Sequence, residues 1–87
     1  MRDLKTLIED DGRGFMNLGD LRVTRFSNGV LNVINAEGSL TQVELDTFRA
    51  ALAEAGYRES ELWIAVQNVN WLSGGTFAGV SMRVVKI

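Results

Sequence analysis

A chain of 87 residues, 46% hydrophobic and 23% charged, has room for one hydrophobic core and not for two, so 1–87 is expected to fold as a single domain. The absence of histidine and cysteine excludes imidazole bases, thiol nucleophiles, disulfides, zinc fingers and iron–sulfur ligation. A net charge of −2 exerts no global pull toward nucleic acid, and the acidic side chains are scattered along the chain.

A short helix is predicted first. Asp3 is placed to cap it, Leu4, Leu7 and Ile8 fall on one face, and Gly12 stops it. Glu9-Asp10-Asp11-Gly12 lacks the alternating spacing and distal Glu of a calcium loop, so no metal site is read there. The glycine-rich run 12–19 is expected as a loop whose Phe15, Met16 and Leu18 either tuck under the domain or face a partner. Residues 20–36 read as a β-hairpin about Asn28-Gly29, a type I′ signal. That turn predicts Ser27 opposite Val30, Phe26 opposite Leu31, Thr24 opposite Val33 and Val23 opposite Ile34.

The next helix has complete punctuation. Thr41 is its N-cap, Glu44 completes a capping box, and Leu40 and Leu45 are placed as a hydrophobic staple. Leu45, Phe48, Leu52 and Ala55 form the core stripe, and Gly56 takes the left-handed position after the end. Residues 58–61 read as a polar link. Leu62–Val69 reads as a central strand because both of its sides are apolar. Asn70 to Gly79 reads as a long loop, and Val80–Ile87 as a last strand with an open edge. The expected fold class is therefore α+β, in the order α-β-β-α-β-β. Its mostly antiparallel four-stranded sheet has the long helix 41–55 packed on one face.

No constellation of residues points to chemistry. Only Lys5 and Lys86 are available for a Ser–Lys pair, and Ser73-Gly74-Gly75-Thr76 lacks both the Lys and the following helix of a phosphate loop. The chain is expected to be no enzyme and to need no cofactor. Exposed aromatics and arginines on loops are the side chains that dominate binding hot spots. They single out Trp71, Phe77 and Asn70 in one loop and Phe15, Met16 and Arg13 in the other.

The leading expectation is a protein-binding module, in the form of a phage or mobile-element inhibitor of a host defence or nucleic-acid-processing complex, of the anti-CRISPR kind. A second expectation is nucleic-acid or nucleotide binding by Arg22, Arg25 and Arg83 on an exposed sheet face beside Phe26 or Trp63. A third is a self-associating component, a homodimer paired through strand 80–87. The charged start Met1-Arg2-Asp3-Leu4-Lys5 predicts no secretory leader. No apolar run approaches the roughly 20 residues that span a bilayer. With the lack of cysteine, these features predict a cytoplasmic protein with no membrane partner.

Overall fold

The computed structural model describes residues 3–10, 13–36, 38–70 and 74–87, the side chains of 66–70 and 74–75 excepted. Both helices start where the sequence places their caps. Helix α1 (Leu4–Glu9) opens at Asp3, whose Oδ1 accepts a hydrogen bond from the Thr6 N–H at 2.8 Å. Extended backbone at Asp10 ends it, and Gly12, the expected stop, lies outside the described residues. Helix α2 (Gln42–Glu54) opens at Thr41, whose Oγ1 accepts from the Glu44 N–H at 3.2 Å while Glu44 Oε1 accepts from the Thr41 N–H at 3.0 Å. Leu40 and Leu45, the staple pair, are both buried. Past the Ala55 cap the chain reverses at Gly56 with φ 93°, a conformation that a Cβ would strain.

The strands β1 (Gly14–Leu18), β2 (Leu21–Arg25), β3 (Leu31–Asn35), β4 (Leu40–Thr41), β5 (Tyr57–Asn70) and β6 (Gly74–Lys86) form one antiparallel sheet. Its order is β1-β2-β3-β6, with β5 along the other side of β6 and the short β4 pairing β6 at Thr76 and Phe77. Leu4 and Leu7 of α1 and Leu45, Phe48 and Leu52 of α2 close over Leu21, Val23, Leu31, Val33, Val80 and Met82. Both helices therefore cover the same face. Tyr57 joins this core and donates its hydroxyl to Glu9 Oε1 at 2.8 Å, which ties α1 to the start of β5.

The sheet has six strands rather than the expected four, and its details differ for identifiable reasons. Residues 14–18 are a strand, not a loop. Phe15 and Asn17 point out while Met16 and Leu18 pack on the core, a period of two obscured by the surrounding glycines. Gly19, with φ 60°, opens the two-residue Gly19-Asp20 turn at the position where a type II′ turn needs a positive φ.

The β2–β3 hairpin is shifted by one residue from its expected register. Val23 faces Val33, Thr24 faces Asn32 and Arg25 faces Leu31. Only Gly29 in this turn has a positive φ, 84°, so the loop is three residues long rather than two. The Phe26 N–H donates to the Val30 carbonyl at 2.9 Å and the Gly29 N–H to the Phe26 carbonyl at 3.0 Å. Because the side-chain period is two, this single step reassigns every residue of one strand to the other side.

Residues 58–61 and 74–79 also belong to strands. Strand β5 pairs only with β6 and is an outer strand, not a central one. Its polar residues meet water or α2, as where Glu59 accepts from Arg49 Nη2 at 2.8 Å and Nε at 3.2 Å. In contrast, Val80–Met82 is interior, with β3 on one side and β5 on the other. The edge expected of strand 80–87 is thus occupied over these residues, and the outer strands are β1, β5 and the two-residue β4. Among the described residues, no helix is long and apolar enough to cross a membrane.

Candidate functional site

The face away from the helices is built by residues that alternate with the core. One row crosses it from edge to edge, and every step is a paired position: Phe15–Thr24, Thr24–Asn32, Asn32–Ser81 and Ser81–Trp63. An aromatic ring stands at each end, with a hydroxyl, an amide and a hydroxyl between. At about 4.8 Å per strand spacing, the four steps span roughly 19 Å. Phe15 is 56% exposed, Trp63 48%, and Phe26, at the neighbouring hairpin, 42%. Three large rings left in water on one side of a small sheet are the departure from ordinary burial here.

Arginines stand among these rings. Arg22 lies over Phe15, its guanidinium carbon 4.6 Å from the ring centroid. Arg13 and Arg25 line a shallow hollow of about 500 Å³ with Phe15, Thr24 and Phe26. Arg83 donates to the Asn28 carbonyl at 3.3 Å and sits 3.8 Å from Glu61, and both charged side chains of that pair are about half exposed. A second hollow, about 460 Å³, lies between Trp63 and Ile34 over Gly79. Gly79 keeps it open, since a Cβ there would come 3.2 Å from Ile34 Cγ2. Its floor includes Asn32, whose Nδ2 donates to Ser81 Oγ at 3.1 Å.

Carboxylates are uneven between the two layers, although the helices also carry Lys5 and Arg49. The helix side holds Asp3, Glu9, Asp10, Glu44, Asp46 and Glu54, whereas Glu61 is the one described carboxylate on the strands of the open face. The perturbed titrations are on the helix side too. The Thr6 backbone N–H holds the Asp3 carboxyl below its ordinary value. The Thr41 backbone N–H does the same for Glu44, assisted by Asn35 and the Thr41 hydroxyl against the opposing effect of burial. Tyr57 is raised, first by the hydrogen bond it donates to Glu9. These shifts come from caps and packing. Among the described residues, no three carboxylates converge.

Comparison with known proteins finds no matching family model, no similar curated protein and no similar solved structure. The reading of the site therefore rests on its residues alone.

The structure divides the residues that the sequence singles out. It brings Phe15, Arg13, Arg22 and Arg25 together, with Arg83 at the far side of the hairpin turn. It turns Met16 and Phe77 toward the core, half-buried, with Phe77 in a strand opposite Leu40 rather than in a loop. Trp71 lies outside the described residues, as does the side chain of Asn70, whose backbone pairs with Gly74. Trp63 emerges as the ring at the β5 end of the row. The polar residues on either side of the Leu62–Val66 run were its signal, since a strand flanked by Glu61 and Gln67 on an outer edge leaves one side in water.

Proposed function

We propose that this protein is a non-catalytic binding module whose working surface is the uncovered face of its sheet. The observation that carries this reading is the coincidence on one face of three exposed rings, Phe15, Phe26 and Trp63, with Arg13, Arg22 and Arg83, against one described carboxylate on its strands. Exposed rings keep apolar surface in water that a partner would bury, and rings together with guanidiniums are the composition of hot spots. The residue inventory supports binding over catalysis: with no imidazole or thiol in the chain, the groups on this face offer stacking, hydrogen bonds and positive charge.

The partner complementary to this face is acidic or polyanionic. Blocking a host nucleic-acid-processing complex stays within the reading, because occupying an acidic groove needs no chemistry of the blocker. The test is comparative capture from a native lysate, with and without nuclease, by the wild type, Trp63→Ala, Arg22→Ala and a helix-side control, Val43→Ala. Loss of the captured partner with the first two variants and retention with the third supports the open face. Loss with Val43→Ala alone moves the working surface to the helices and refutes the proposal.

A further inference from the structure

Resting on the open-face reading, we infer that the partner is single-stranded nucleic acid, laid across the strands along the row from Phe15 to Trp63. Three observations favour this occupant over an acidic protein surface. The first is the layout of the rings. A protein hot spot is a contiguous apolar centre inside a polar rim, but here Phe15 and Trp63 stand at opposite edges with Thr24, Asn32 and Ser81 between them. Separated flat rings with hydrogen-bonding groups between match a ligand that presents a π-face at intervals. A span of roughly 19 Å accommodates about four nucleotides, the short end of site sizes for small domains.

The second is the charge. Arg13, Arg22 and Arg83 flank the row and Arg25 lines the rim of the hollow at its Phe15 end, while the chain as a whole is at −2, so this positive charge is a local concentration. Arg22 already stacks on Phe15, and a guanidinium plane is itself a surface on which bases stack. The third is the hollow over Gly79. Trp63 walls it, and Asn32 and Ser81 offer amide and hydroxyl groups at its floor, a stacking surface beside hydrogen-bonding groups suited to a base edge. The rings of the row are open to solvent and stand beside shallow hollows, so the row suits unpaired bases, whose faces are free, better than a duplex.

Fluorescence anisotropy with labelled DNA and RNA single strands about twelve nucleotides long, the matching duplex, and polyglutamate as an acidic polypeptide tests this. The full chain is used, and thermal melting shows that each variant is folded. The expected result is binding of single strands ahead of duplex. Its log–log salt slope is roughly −2 to −3, the value for three or four phosphates on a single strand. Trp63→Ala and Phe15→Ala each weaken binding about tenfold or more, Trp63→Phe retains most of it, and Arg22→Ala flattens the salt slope by about one.

The inference is overturned if single strands do not bind at low salt, or if they bind and no ring substitution weakens them. Polyglutamate bound through Trp63 and Arg22 in place of the oligonucleotides also overturns it, while leaving the open face as the working surface. If the oligonucleotides fail and the lysate capture is also blind to Trp63 and Arg22, both readings fall together.

Discussion

The two faces of one sheet are put to opposite uses. On the covered face Val23, Val33 and Val80 stand in paired positions and are fully buried under Phe48, Leu45 and Leu7. One residue along the same strands, Thr24, Asn32 and Ser81 stand in paired positions with exposed rings at either end. The covered side, with its caps and the Tyr57–Glu9 hydrogen bond, holds the fold together. The open side supplies little of that and carries the groups a partner would meet. The lesson is that in so small a chain stability and recognition are separated by the pleat, at a distance of one residue.

Substitutions test that separation, and the largest effect is expected in the core. Phe48→Ala should destabilise by about 3–5 kcal/mol in urea denaturation, comparable to the whole stability of a chain this size. A loss under about 1 kcal/mol would mean that α2 is not the element that closes the core. Thr41→Ala removes the acceptor for the Glu44 N–H and should cost about 1 kcal/mol in the same assay.

Acid should act through the helix side. Glu44 has its pKa lowered in the fold, so its contribution is present above the ordinary carboxylate pKa and is lost as pH falls through the lowered one. The stability gap between wild type and Glu44→Gln should therefore shrink in urea titrations as pH is taken below the ordinary carboxylate range. A gap independent of pH would show that Glu44 acts without its charge. The smallest effect is expected on the open face, where Trp63→Ala should change stability by no more than about 0.5 kcal/mol. A large loss there would place Trp63 in the structural core and break the contrast between the faces.

Much of the fold was legible where contacts are short in sequence. Asp3 bonds to Thr6, Thr41 and Glu44 bond to each other, and Gly56 reverses the chain directly after the helix, all within a few residues. Gly19-Asp20 was an equally local turn signal, readable in retrospect between Leu18 and Leu21, but the neighbouring glycines hid the strand before it. The site was partly legible. Arg22, Arg25 and Arg83 were expected on an exposed sheet face beside Phe26 or Trp63; Arg22 and Arg83 stand on that side, whereas Arg25 pairs with buried Leu31 on the side of Leu21 and Val23. The loop-centred set was divided, with Met16 and Phe77 drawn to the core.

What the sequence determined by itself was therefore the helices and their caps, because those depend on backbone groups satisfied within about four residues, together with the β character of 21–25, 31–35, 62–69 and 80–86. Only the tertiary structure decided the register at Gly29, the interior place of Val80–Met82 and the outer places of β1 and β5. Pairing is a long-range choice among registers with similar local cost, and packing selects the one that buries Leu21, Val23, Leu31 and Val33 together. That same choice puts Thr24, Asn32, Ser81 and the rings of Phe15 and Trp63 in one row on the other side.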